Sequence, residues 1–231
     1  MPSHARHVRG RRCAVTLANS ASMKDGKDWY AWHGPYTDPG SPLARRLRLV
    51  QQHIAAWLDE RPGGPVSVVS MCAGQGHDIL AVLASRPDAR RVSATLIEYE
   101  PRNVVAARAM AEGHDTVTVA QADAGDLASY RQAVPADLVI MAGVLGNISD
   151  ADVHTTIQAL PQLCAADATV IWTRTRRAPD LTPAVRGWLA EAGFAEEAFT
   201  APDDVLFSVG VHRFTGTPQQ LGSGKIFQFI A

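Results

Sequence analysis

Apolar residues recur at helical spacing early in the chain, where Leu43, Leu47, Val50, Ile54, Trp57 and Leu58 fall on one stripe. Ser41 offers a capping oxygen, Pro42 suits the first turn, and Arg61-Pro62-Gly63-Gly64 ends the run, so one amphipathic helix is predicted here. After Pro65 the rhythm changes. Short runs rich in Val and Ile, at 66–71, 92–97, 117–120, 138–142 and 169–172, are bounded by Gly, Pro or charge and predict buried strands. Segments with the longer helical period, near 78–85, 101–112, 126–133, 151–164 and 182–192, alternate with them. This alternation predicts an α/β fold: a doubly wound, Rossmann-like, mostly parallel sheet. The runs 196–200 and 205–213 lie close enough to pair, making a seven-stranded sheet with a C-terminal antiparallel hairpin.

Ahead of the helix, Trp29, Tyr30, Trp32, His33 and Tyr36 are crowded among Gly34, Pro35, Pro39 and Gly40, which predicts an aromatic loop. Residues 1–22 carry Arg6, Arg9, Arg11 and Arg12 without any period and read as a flexible basic arm. The organisation expected is therefore the arm, then one domain over 23–231: an N-terminal lid and helix at 23–64, a core at 65–214 and a tail at 215–231. At 231 residues, 46% of them apolar, the chain can bury one sizeable core. Lys and Arg number 22 against 23 Asp and Glu, so no global field draws the molecule to nucleic acid or membrane. Cys13, Cys72 and Cys164 form no CxxC pair, which argues against a disulfide framework and a structural zinc site. A cytoplasmic protein is expected, since no apolar run approaches the roughly 18 residues that span a bilayer.

In an open sheet of this kind the binding crevice lies beyond the carboxyl ends of the strands, where the winding reverses. The first strand runs into Cys72-Ala73-Gly74-Gln75-Gly76-His77-Asp78, a small-residue loop that lets a ligand approach the backbone at Gly74 and Gly76. Neither frame of the loop gives glycines at the first, third and sixth positions of a dinucleotide fingerprint. Asp78, in the first turn of the next helix, would repel a pyrophosphate and suits a ligand with positive character. Glu98 ends the second strand, about twenty residues beyond the loop, where a carboxylate can accept both hydroxyls of an unphosphorylated ribose. Asp123, with Ala124 after it, ends the third; it suits an adenine amino group, a local Asx turn or a helix cap.

Together these segments resemble the class I methyltransferases that depend on S-adenosylmethionine (SAM). The stretch 68–76 is similar to that family's glycine motif, Glu98 to its ribose-binding acid, and Asp123-Ala124 to its adenine-contacting pair. The stretches 136–140 and 144–150 are similar to its fourth-strand motif, and 190–194 to the helix end before its final hairpin. The resemblance implies SAM as cofactor, with Cys72, Ala73, Gly74, Gly76, Asp78, Glu98, Tyr99, Asp123, Ala124 and Gly143 around it. Two departures stand out: Ser70 replaces the acid common two residues before the loop, and Cys72 replaces its first glycine. Asp78, or the carbonyls of Cys72 and Gly143, could then hold the methionine ammonium, while Tyr30 or Tyr36 could reach the carboxylate if the aromatic segment folds back.

Methyl transfer needs alignment of the nucleophile, plus a base only if the acceptor is protonated. His33, Tyr36 and Asn147, the last as a positioner, are the catalytic candidates; no compact ligand set implies a metal. The expected function is methylation of a small molecule, because little of the chain is left over for a recognition domain. Alternatives are intramolecular cyclisation of SAM with release of methylthioadenosine, RNA methylation through the basic arm, and a non-catalytic SAM-binding module. No membrane or nucleic-acid partner is expected, and a homodimer is compatible with the sequence.

Overall fold

A computed structural model describes residues 27–230. The arm read at 1–22, with Cys13, lies outside the described residues. The first regular element is a 3-10 helix, Ala31–Thr37, where an aromatic loop is expected. Asp28 organises it: its Oδ1 accepts from the backbone N–H of Tyr30 and of Ala31, an Asx-type start that proline and glycine content alone does not disclose.

Helix α1, Pro42–Asp59, follows, with the Ser41 hydroxyl accepting from the Ala44 N–H and Pro42 in its first turn. Then come β1 Val66–Met71, α2 Ile79–Ala84, β2 Val92–Glu98, α3 Pro101–Met110, β3 Val117–Gln121 and β4 Ala136–Met141. The chain continues with α4 Asp150–Ala159, β5 Cys164–Thr175, α5 Thr182–Glu191, β6 Phe194–Thr200 and β7 Phe207–Phe214. Two departures from the expected elements are local. Only a 3-10 turn, Leu127–Tyr130, forms in the stretch 126–133. Strand β5 begins at Cys164 rather than near 169, because Cys164 pairs with Ala136 across an irregularity in register.

The strand order is β3-β2-β1-β4-β5-β7-β6. Strands β1 to β5 pair in parallel, and β7 is antiparallel to both β5 and β6. This is the mostly parallel, doubly wound Rossmann-like sheet with a closing hairpin. Its winding reverses between β1 and β4, which opens a crevice at their carboxyl ends.

Alternate residues of the central strands go to opposite faces, and both faces are buried. Val68, Leu138, Ile140 and Ile171 meet α1 and α2 through Ile54, Leu58, Ile79 and Leu83. Val69, Val139, Met141 and Trp172 meet α4, α5 and the chain's own end through Val153, Ile157, Val185 and Phe227. That double burial is why the strands read as nearly continuous apolar runs. Among the described residues no helix is long and apolar enough to cross a membrane.

Candidate functional site

The loop after β1 is built from left-handed residues. Cys72 has φ 49° and Gly74 φ 57°, so the backbone coils tightly between β1 and α2. The two glycines face different ways. A Cβ at Gly76 would strike Leu80 and Leu96 at 2.5 and 2.9 Å, so Gly76 serves the packing of α2 on the sheet. A Cβ at Gly74 would lie 2.2 Å from His33 Nε2, so Gly74 faces the crevice and the aromatic segment closes over it.

Glu98, only 7% exposed, lies beside this loop. Its Oε2 accepts from the Gly74 N–H at 2.7 Å and its Oε1 from the Glu100 N–H at 2.8 Å. Burial raises its pKa, and these backbone donors oppose the rise. Each carboxylate oxygen keeps further lone pairs for a ligand. Asn103 on α3, missed by sequence reasoning because it sits inside a helix, is buried within reach of Glu98, Gln75 and the Trp29 carbonyl. The Cys72 thiol is held protonated, its pKa pushed well up by burial and then by the charges of Glu98 and Asp123.

At the end of β3, Asp123 Oδ1 accepts from the Gly125 N–H at 2.8 Å, the Asx turn that was one of its expected roles. Its Oδ2 pairs with Lys225 at 3.1 Å. Ala124 presents its small side chain nearby, and its carbonyl accepts from the buried Tyr130 hydroxyl.

The segment 222–230, expected as a tail, is a strap across the crevice. The Ile226 N–H donates to the Gly125 carbonyl at 2.7 Å and the Ile230 N–H to the Asn147 carbonyl at 3.0 Å. Phe229 packs on Trp29 with ring centroids 4.9 Å apart. Under this roof of Trp29, Phe227 and Phe229 lies a cavity of about 380 Å³, with Cys72, Glu98, Tyr99, Asp123 and Ala124 on its other walls. That volume is at the scale of small-ligand pockets. Phe227 and Phe229 lie beyond the last strand, where sequence reasoning assigned no element.

A second, smaller cavity of about 30 Å³ lies on the other side of the glycine loop, against Ala73, Asp78, His33, Tyr36 and Arg46. The Ser70 hydroxyl donates to Asp78 Oδ2 at 3.3 Å, so a carboxylate stands beside position 70 although residue 70 is not acidic. Burial raises the Asp78 pKa, against its bonds to Ile79 N–H and Ser70 and the charge of Arg46. Arg46 donates to the Tyr36 hydroxyl at 3.2 Å and stacks 5.4 Å from the Trp32 ring. Its Nη2 would lie 3.7 Å from a Cβ at Gly143. Arg46 was overlooked because it reads as one more polar position on α1.

His33 Nδ1 donates to the Trp29 carbonyl at 2.8 Å, which leaves the lone pair on Nε2, the atom aimed at Gly74. Burial lowers its pKa, so the ring is neutral at pH 7. The Tyr36 pKa is raised by burial, and its phenol stays protonated. Asn147 Nδ2 donates to the Gly143 carbonyl at 2.6 Å, drawing the two residues after β4 together. Tyr99 is 73% exposed yet lines the larger cavity. Tyr30, 43% exposed, lies under the Arg102 guanidinium at 5.1 Å and lines neither cavity, and Gly74, Gly76, Gly143 and Asn147 border the two cavities without lining either. The arginines after β5 are structural clamps. Arg174 donates to the Leu145 carbonyl and pairs with Asp150, and Arg176 donates to the carbonyls of Pro202 and Val205.

A glycine loop at a switch point, an acid ending β2 and a closing antiparallel hairpin together define the Rossmann-like fold of SAM-dependent methyltransferases. A family model described as "Putative methyltransferase" matches residues 44–190, over half of the chain, and the chain belongs to that family. No curated protein matches the sequence closely enough to count as a relative. Among solved structures, the magnesium protoporphyrin IX methyltransferase ChlM from Synechocystis PCC 6803, crystallised with bound SAM, is similar at TM-score 0.59 and 16% identity over 83% of this chain and 100% of that one. The N-methyltransferase NodS from Bradyrhizobium japonicum WM9 is similar at TM-score 0.56 and 16% identity, over 77% and 99%. An O-methyltransferase family protein from Burkholderia thailandensis gives TM-score 0.61 and 15% identity, over 81% and 59%. At these identities the likeness is one of fold.

Proposed function

We propose that this protein transfers a methyl group from SAM to a small-molecule acceptor. The observation that carries the reading is the buried Glu98 carboxylate on the wall of an aromatic-roofed cavity of about 380 Å³. The donor set fits the cofactor. Glu98 would accept from ribose hydroxyls, and the adenine would lie between the Ala124 wall and the roof of Phe227 and Phe229. The amino-acid end would find Asp78 for its ammonium and Arg46 for its carboxylate, both lining the smaller cavity across the loop.

When bound, SAM supplies a methyl group on a positively charged sulfur, already activated for in-line displacement. The chain's own contribution is alignment and exclusion of water. Residues 31–37 and 222–230 close over the crevice, and a well-aligned pair reacts with a barrier lower by several kcal/mol, about 7–11 in the best intramolecular cases. Neutral His33, with its Nε2 lone pair facing the glycine loop, can take a proton from an acceptor that carries one. The same roof favours a small acceptor over a polymer, since the chain covers its own site.

Isothermal titration calorimetry tests the reading. SAM should bind the wild-type protein, and Glu98→Ala should weaken binding at least tenfold, as two backbone donors and the ribose lose one shared acceptor, at about 1.4 kcal/mol per factor of ten. Turnover should release S-adenosylhomocysteine. Methylthioadenosine in its place would make SAM the substrate of a different reaction.

A further inference from the structure

At the carboxyl end of β4 the amine of Lys27 is gripped by three side chains from two segments of the chain. Its Nζ lies 4.4 Å from the Trp29 ring centroid and 5.4 Å from that of Trp32, and it donates to Asn147 Oδ1 at 3.1 Å. Each of these partners is itself fixed. Asn147 is tied through its amide to Gly143 and through its carbonyl to Ile230 of the strap. Trp29 is braced by Phe229, and the Trp32 ring would lie 3.5 Å from a Cβ at Gly143.

An exposed lysine ordinarily extends its head into water. Here the head turns onto two indole faces at the loop where the crevice meets β4. Indole faces attract cations and give no such gain to a neutral hydroxyl or thiol. The amide oxygen of Asn147 adds one directional acceptor for an N–H. Among the described residues no carboxylate takes part, so the grip selects a cation by π faces and one amide oxygen.

We infer that the methyl acceptor is an alkylamine, received between Trp29 and Trp32 with an N–H on Asn147 Oδ1, and that Lys27 fills this place until the acceptor displaces it. This rests on the methyl-transfer reading above and names the acceptor class for it. The bonding balances: the ammonium loses one proton to water or to neutral His33, whose ring lies 5.3 Å from Trp32. The freed nitrogen pair then forms the N–C bond, the C–S bond breaks, and its electron pair stays on sulfur. Burial and then the charge of Arg46 lower the Lys27 pKa, the same surroundings that would ease the first of these steps for an incoming amine.

Binding of n-butylamine and of uncharged n-butanol, followed by indole fluorescence, tests the inference on wild type, Lys27→Ala and Lys27→Ala/Trp29→Leu, with SAM affinity measured on the same samples. Lys27→Ala should bind butylamine at least tenfold more tightly than wild type, the double variant should lose that gain, and butanol should compete poorly throughout. With methyl-labelled SAM, label should pass to amines. Butanol binding as tightly as butylamine, or no gain on removing Lys27, overturns the inference. If SAM itself fails to bind wild type, the parent reading falls; if SAM binds and label passes to hydroxyl or thiol acceptors but not to amines, only the amine assignment falls. Unchanged far-UV circular dichroism and thermal melting establish that each variant is folded, and Lys27→Gln replaces Lys27→Ala should the latter not be.

Discussion

Glu98 is short of water and rich in donors, and this combination suits it to a neutral, polyhydroxylated ligand. Burial raises its pKa, and the Gly74 and Glu100 amides oppose that rise and fix the carboxylate in place. Cys72 shows the opposite economy of residue choice. Its left-handed φ of 49° is the conformation that glycine adopts without penalty and a residue with a Cβ adopts at a cost. On β7, His212 is buried against Trp172, whose indole N–H donates to His212 Nδ1 at 3.2 Å. Burial lowers its pKa to about 4, against the pull of Glu196. Between the ordinary value near 6.5 and about 4, the unfolded chain binds a proton that the folded chain refuses, so stability present above pH 6.5 is lost as pH falls through that window. The loss is on the order of 3 kcal/mol at about 1.4 kcal/mol per pKa unit. Urea denaturation between pH 4 and 7 should show this slope, and His212→Gln should flatten it.

Elements are held by a few contacts that depend on side-chain size. Strands β5 and β7 approach closely because Gly210 has no side chain: a Cβ there would lie 2.3 Å from the Trp172 indole, which cannot retreat from the core. Gly210→Ala should therefore destabilise the fold by about 1–3 kcal/mol, read as a lower urea midpoint with an unchanged m-value. The start of α1 is governed by chemistry visible in the sequence, Ser41 followed by Pro42, and the observed cap is the expected one. The 3-10 helix Ala31–Thr37 was hidden, because its start depends on Asp28 reaching two amides rather than on any periodic apolar stripe. Likewise the first residues of β5, Cys164-Ala165-Ala166-Asp167, have little β character, and pairing with β4 makes them strand.

At the scale of the molecule, the site divides into a floor inside the family-matched span and a roof outside it. The loop 72–78, Glu98, Asp123 and Asn147 lie within residues 44–190, whereas Trp29, Trp32, His33, Phe227 and Phe229 lie beyond either end. Pockets that choose an acceptor vary independently of the cofactor core, and this division has that form. The strap is also structural, since its own Ile226 and Phe227 are buried in the core. Phe227→Ala should cost about 3 kcal/mol of stability and weaken SAM affinity in the same variant, whereas Phe229→Ala, half-buried at the roof, should weaken affinity with a smaller loss of stability. Thermal melting and calorimetry on the two variants separate these effects.

Periodicity and loop chemistry were sufficient by themselves to imply the alternating strands and helices, the parallel sheet with its closing hairpin, and the residues on the floor of the crevice. They sufficed because buried strands, helix caps and tight turns are local, written in neighbouring residues. The guanidinium of Arg46 beside Asp78, the strap over Gly125 and the reach of Lys27 to Asn147 came only from the tertiary structure. Each joins positions far apart in the chain, up to 120 residues in the contact of Lys27 with Asn147, and no local pattern encodes which distant side chains the winding of the sheet will bring to one crevice.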